Sequence, residues 1–249
     1  MPEYEELLQF SIDIARRAGE LVLPSFRSVV TPERKTDGTY VTAADRAAET
    51  FLREQIARAY PDDEIVGEEY GVATGTSGRR WIVDPIDGTC SFVHGVPLFG
   101  VLVGVESQAE TVVGVAHFPA LGQTIAAARG GGCFLDGKRV RTSATALLDE
   151  ATIVTNEPLA APALIERARI VRGWGDCYGY MLVATGRADI ALDPEMNVWD
   201  CAALQPIVEE AGGSFTDWRG TRTIRGGNAV ATNGPLLREA IRSLRQRPG

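Results

Sequence analysis

An apolar run, Trp81-Ile82-Val83, leads directly into two carboxylates, Asp84 and Asp87, in the stretch WIVDPIDGT, with Pro85 after the first acid and Gly88 after the second. The run reads as a buried strand ending in a stiff turn. Like charges held that close repel unless a positive charge lies between them, so the feature demands a counter-ion as well as a fold. Hard divalent cations such as Mg²⁺ take oxygen ligands in near-octahedral geometry and keep waters at the remaining positions. Asp84 and Asp87, with the backbone carbonyl of Ile86 between them, form a platform for one or two such ions. Other acids fall at element boundaries: Glu68 and Glu69 in GEEYG after the preceding strand, and Asp200 at a helix start in NVWDCAAL. Taken singly, Asp200 reads as a helix N-cap, Asp87 as a turn residue and Glu68 as solvated. Zinc is not favoured, because His94 and His117, the two histidines, lack ligand spacing and read as loop or surface residues.

After the acids, Gly88-Thr89 precedes Cys90-Ser91-Phe92, which reads as the beginning of a helix. A helix N-terminus offers unpaired N–H groups and a positive dipole end to a phosphate. Metal-binding acids beside an anion cradle point to phosphate-ester hydrolysis.

The chain has 249 residues, enough for one large domain or two small ones, and 45% hydrophobic with 23% charged residues is an ordinary globular composition. No apolar run is long enough to span a membrane, and MPEYEELLQF lacks the pattern of a secretory signal, so a cytoplasmic location is expected. The formal net charge of −8 argues against a nucleic-acid surface, and the basic RSLRQR near the C-terminus is too short to reverse it. Cys90, Cys133, Cys177 and Cys201 lie far apart and read as small apolar fillers.

Residues 3–26 carry the apolar stripe of one long amphipathic helix, and Thr42 with Asp45 has capping-box spacing ahead of a second. From Glu64 the chain turns β-rich, predicting a mostly antiparallel sheet with a hairpin at Asp136-Gly137. Beyond about residue 145, strands alternate with helices. We therefore expect an α+β half over 1–144 carrying the metal and phosphate motifs, and an α/β half over 145–249 completing the site, the two packed closely.

GEEYG, WIVDPIDGT-x-x-F, WDCAALQPIVEEAGG and the earlier KTDGTYVTAAD together resemble the inositol monophosphatase family of magnesium-dependent, lithium-sensitive phosphatases, in order and spacing across nearly the whole chain. The resemblance implies a layered αβαβα sandwich, a homodimer and two or three Mg²⁺ ions. It implies that Glu68, Asp84 and the Ile86 carbonyl hold the ion that activates a water, that Asp84, Asp87 and Asp200 hold a second, and that Glu68 touches a third, weaker one. Thr89, paired with Asp45, would orient or deprotonate the attacking water, while backbone groups of Gly88 and Thr89 take the phosphate. Asp45 can cap its helix at the same time, since a carboxylate has two oxygens. Ser91 stands where the family usually has asparagine, which bears on the local turn.

Family members cleave inositol phosphates, fructose bisphosphate, adenosine bisphosphate or histidinol phosphate, so the metal motif identifies the reaction and not the substrate. The stretch GDCYGYMLVATGRADIALDPEMNVWD resembles the histidinol-phosphate phosphatase branch. By that resemblance Asp176 and Asp193 face the part of the substrate away from the phosphate. Two carboxylates there suit the ammonium and imidazole of L-histidinol phosphate better than a neutral polyol. For Asp176 the competing reading is a helix N-cap, and Trp174 and Tyr178 read as core. The leading expectation is a histidinol-phosphatase of histidine biosynthesis. The alternatives are an inositol or broad sugar monophosphatase and a regulatory protein-interaction module. The loop from Lys35 to Tyr40, with Gly38, is a candidate to close over the site.

Overall fold

The computed structural model describes residues 2–26, 32–34, 38 and 40–245. Lys35, Thr36, Asp37 and Thr39 of the candidate closing loop, and the end of the basic C-terminal stretch, lie outside the described residues.

The chain begins with α1 (Pro2–Phe26), whose Leu7, Leu8, Ile14, Ala15, Ala18 and Val22 are buried at helical spacing. The short strands β1 (Glu33–Arg34) and β2 (Tyr40–Val41) pair with each other before α2 (Ala43–Ala59). Thr42 and Asp45 form the expected capping box at the start of α2. Then come β3 (Glu64–Gly67), β4 (Gly71–Ala73), β5 (Arg79–Asp87), the short α3 (Thr89–Val93), β6 (Gly100–Ser107), β7 (Glu110–Phe118), β8 (Gln123–Ala128), β9 (Gly132–Leu135) and β10 (Lys138–Val140). These strands form one eight-stranded sheet in the order β10-β9-β8-β7-β6-β5-β3-β4, antiparallel throughout except where β3 runs parallel to β5. The hairpin at Asp136-Gly137 joins β9 to β10.

The later elements are β11 (Thr152–Val154), α4 (Pro162–Ile165), β12 (Ile170–Arg172), α5 (Asp176–Ala184), β13 (Ile190–Asp193), α6 (Val198–Glu210), β14 (Ser214–Thr216), β15 (Ala229–Thr232) and α7 (Leu237–Leu244). A five-stranded sheet results, ordered β12-β11-β13-β15-β14, with its parallel pairs around β11 and its antiparallel pairs around β15.

Strand alternation stacks the layers. Trp81 and Val83 of β5 join the core under α1 and α2, whereas Ile82 between them joins the core formed by α5 and α6. In the second sheet Ala229 and Ala231 face α5 and α6, while Val230 packs with Ile190, Leu236 and Ile241 beneath α4 and α7. The sequence of layers is thus helices, sheet, helices, sheet, helices: the expected αβαβα sandwich. Among the described residues no helix is long and apolar enough to cross a membrane.

Helix α6 lies flush on the large sheet because the cross-strand partners Gly104 and Gly114 lack side chains. A Cβ on Gly104 would come within 2.7 Å of Ala202, and one on Gly114 within 2.1 Å of the Ala203 carbonyl oxygen. Three expectations are corrected here. His117 is not at the surface: it lies buried on β7 beneath α1, its Nδ1 3.0 Å from Thr124 Oγ1, whose hydroxyl oxygen also accepts from Arg16. Cys90 is exposed, unlike the buried Cys133, Cys177 and Cys201. Trp174 is exposed, while Tyr178 does pack edge-on against Phe118 with ring centroids 5.6 Å apart.

Two outcomes follow from this packing. Gly114→Ala must push α6 off the sheet, and urea denaturation should show a loss of about 2 kcal/mol or more. Burial holds the His117 imidazole down at about 4 against an ordinary 6.5. The unfolded chain therefore takes up its proton at a higher pH than the folded one, and this contribution to stability is full above about 6.5 and lost as pH falls toward 4. Between pH 7 and 5 the parent should lose about 2 kcal/mol more stability than His117→Gln, measured by denaturant titration at each pH.

Candidate active site

In a regular strand, residues three apart point to opposite faces. Asp84 and Asp87 escape that rule through a bulge: Asp84 is opposite Leu102 and Asp87 opposite Gly100, so β5 fits one more residue than β6 into the same span. Pro85 lies in the bulge, where a missing N–H costs no ladder bond. The Ile86 N–H donates to Asp84 Oδ1 at 2.9 Å, closing the turn on the first acid.

The third carboxylate arrives on α6. Asn197 is the N-cap, and Asp200, three residues on, accepts the Asn197 N–H at 2.6 Å as the other half of a capping box. The single-residue reading of Asp200 as N-cap is thereby corrected, because the polar Asn197 precedes the helix and takes that position. Carboxylate oxygens of Asp84, Asp87 and Asp200 all lie within 4.8 Å of one another. Burial raises Asp84 well above the usual carboxylate range, with Glu68, Asp87 and Asp200 adding to the rise. Burial, then Asp176 and Asp200, does the same to Asp87, although the Cys177 N–H donates to its Oδ2 at 2.6 Å. Asp200 is pushed up to about 6, chiefly by burial. Three converging hard oxygen donors suit a divalent ion of the magnesium type.

Glu68 lines the same cavity, of about 740 Å³, as do Ile86, Gly88, Thr89, Asp176 and Asp193. The Thr89 hydroxyl is 2.9 Å from the Ile86 carbonyl oxygen and 3.5 Å from Asp45 Oδ1. Asp45 divides its oxygens as expected: Oδ2 accepts from the Thr42 N–H and hydroxyl at 2.7 and 2.6 Å, leaving Oδ1 toward Thr89. Burial raises the Asp45 carboxyl.

Asp176 is not an N-cap. Gly175 takes that position, and Asp176 is the first residue of α5 with a left-handed φ of 52°. A Cβ on Gly88 would lie 3.2 Å from Asp176 Oδ2, so this acid is close to the turn that follows Asp87. Asn156 holds it, donating from Nδ2 to Asp176 Oδ1 at 3.1 Å while accepting the Gly175 N–H at 3.2 Å. Asp193, at the end of β13, accepts from the Tyr180 hydroxyl at 3.0 Å and is pushed up to about 7, first by burial and then by Asp176.

Sequence reasoning missed several wall residues: Cys90, on α3 directly after the turn of Asp87, and Glu195, Asn197 and Trp199, which reach the cavity because the α6 entrance folds beside β5. It also missed Asn156, which lies twenty residues from Asp176 with no motif to link them, and Glu49, a buried charge within the apolar pattern of α2.

The sequence profile of the inositol monophosphatase family matches residues 3–248. A histidinol-phosphatase of Chlorobaculum parvum is 46% identical over 95% of this chain and 96% of its own length. A histidinol-phosphatase of Mycobacterium tuberculosis is 41% identical over 95% and 97%. Among solved structures, the extragenic suppressor protein suhB from Bartonella henselae superposes with a TM-score of 0.92 at 30% identity, covering 98% of this chain and 100% of that one.

Crowding three acids without a cation makes the site a source of instability that a metal relieves. In EDTA, Asp87→Asn should melt a few degrees above the parent, a gain of about 1 kcal/mol, because the amide oxygen still accepts the Cys177 N–H while one charge is removed. Thermal unfolding with added Mg²⁺ should then stabilise the parent much more than the variant.

Proposed function

Since this chain belongs to the inositol monophosphatase family, we propose that it is a magnesium-dependent phosphomonoesterase that hydrolyses L-histidinol phosphate to L-histidinol and phosphate. The observation that carries the substrate is the presence of Asp176 and Asp193 in the cavity that holds the three-carboxylate cluster. Their two carboxylates suit a substrate bearing an ammonium group and an imidazole. Two relatives above 40% identity that bear the histidinol-phosphatase name support it.

In this reading Asp84, Asp87, Asp200, Glu68 and the Ile86 carbonyl would hold two or three Mg²⁺ ions. When bound, the ions supply charge for the phosphoryl oxygens and lower the pKa of an attacking water. The chain does the rest. Backbone N–H groups of Gly88 and Thr89 take the phosphate. Thr89 orients the water that attacks phosphorus, and Asp45, with its Oδ1 toward that hydroxyl, receives the proton through it. Its raised affinity for protons favours that role. The water oxygen bonds to phosphorus as the ester P–O bond breaks, and the leaving oxygen takes a proton from solvent water and departs as the alcohol. Asp176, held by Asn156, and Asp193, held by Tyr180, bind the cationic end of the substrate. The reading includes a homodimer, after the family's habit, and a cytoplasmic location, where amino-acid biosynthesis supplies the substrate.

Phosphate release by the magnesium-loaded protein tests the substrate. kcat/KM for L-histidinol phosphate should exceed that for inositol-1-phosphate by about a hundredfold, or about 2.7 kcal/mol. Asp193→Asn should remove most of that preference and leave inositol-1-phosphate turnover little changed. Equal rates in the parent would instead make the protein a general sugar or inositol monophosphatase.

A further inference from the structure

Glu49 is a fully buried carboxylate on α2, away from the metal cluster, yet its oxygens are directed at the turn that carries Glu68. That turn, Glu68-Glu69-Tyr70, joins β3 to β4. Glu49 Oε2 accepts the Glu69 N–H at 2.7 Å, and Oε1 accepts the Tyr70 N–H at 3.1 Å. Arg53, one helical turn on, donates from Nε to Glu49 Oε1 at 2.7 Å and from Nη2 to the Gly71 carbonyl. The pair thus holds two N–H groups and one carbonyl of the same short segment. Gly67 lets the helix approach: a Cβ there would lie 2.1 Å from Glu49 Oε1.

The simplest account is an ordinary helix pair at i and i+4, which at an exposed site contributes little. It does not explain the burial. Taking a carboxylate out of water is costly unless its oxygens are satisfied, and here three N–H donors satisfy them in a single arrangement of the turn. Asp45, Glu49 and Arg53 recur at intervals of four along α2, so one helix supports both the Thr89 side and the Glu68 side of the cavity.

We propose that Glu49, held by Arg53, is a positioning residue that sets the Glu68 carboxylate for metal binding. The proposal rests on the reading of Glu68 as a metal ligand. Groups behind a metal ligand commonly change metal affinity by about 10- to 100-fold when altered. Gln at 49 keeps the shape, but it removes the charge facing Arg53 and turns an N–H₂ toward a backbone donor.

Manganese provides a readout apart from turnover. Mn²⁺ binding to the purified protein, followed by electron paramagnetic resonance, should weaken about tenfold or more in Glu49→Gln and in Glu68→Gln. Leu52→Ala, a buried core truncation on the same helix, should lower the melting temperature and leave Mn²⁺ affinity within about twofold of the parent, because it does not touch the turn. Parent-like binding by Glu49→Gln alongside weakened binding by Glu68→Gln would overturn the positioning role and leave the ligand reading standing. Parent-like binding by Glu68→Gln would overturn both. An equal loss in Leu52→Ala would also overturn the proposal, since general loosening of α2 would then suffice. If Glu49→Gln does not fold, Arg53→Met is read in its place against the same outcomes.

Discussion

The mutual repulsion of Asp84, Asp87 and Asp200 is the constraint around which the rest of the structure is arranged. Their ligand oxygens lie within 4.8 Å of one another in a site where burial alone already raises each carboxyl. Free side chains would rotate apart or take up protons. The surrounding structure prevents the first: the Ile86 N–H closes on Asp84, the Cys177 N–H on Asp87 and the Asn197 N–H on Asp200. Each acid is thus tied by a backbone donor, Asp84 from within β5, Asp200 from the N-cap of its own helix and Asp87 from α5, an arrangement that suits a cation among them.

The layers have a direct role in this. The central helices α5 and α6 contact both sheets, and their N-termini come to the end of β5, where the bulge turns both acids of that strand to one side. Two glycines under α6 set how deeply that helix sits, and so where Asp200 falls. On the other face of the large sheet, α2 brings Asp45 to Thr89 and Glu49 to the turn of Glu68. The site is a junction of elements that are rigid for reasons of packing, which is what preorganised chemistry needs.

Much was legible in the sequence because it is local: the capping box follows from Thr42 and Asp45, and the buried strand from the apolar run Trp81-Ile82-Val83. The stiff turn expected after that strand is a bulge within β5, and which core each of Trp81, Ile82 and Val83 joins depends on the layers packed on either face. The resemblance to the inositol monophosphatase family supplied the layer order, which periodicity cannot give. Asp176 lines the cavity in which the sequence reading expected it, but its geometry was not legible. Its left-handed backbone and its contact with Asn156 depend on how β11 and α5 meet. His117 was misplaced because a polar residue on a strand looks exposed until the helix that covers it is known.

By itself, the sequence determined the chemistry: which oxygens are present, that they lie at strand and helix ends, and that a hard divalent cation and a phosphate ester answer them. Only the tertiary structure decided which acids meet and which hold others in place. Asp84 and Asp200 are far apart in the chain, and Glu49 reaches the turn after Glu68 through space, as Asn156 reaches Asp176. Periodicity reports the face on which a residue lies. It does not report what the opposite element presents to that face, and in a low-dielectric interior the nearest opposed group governs the charge, protonation and orientation of a side chain.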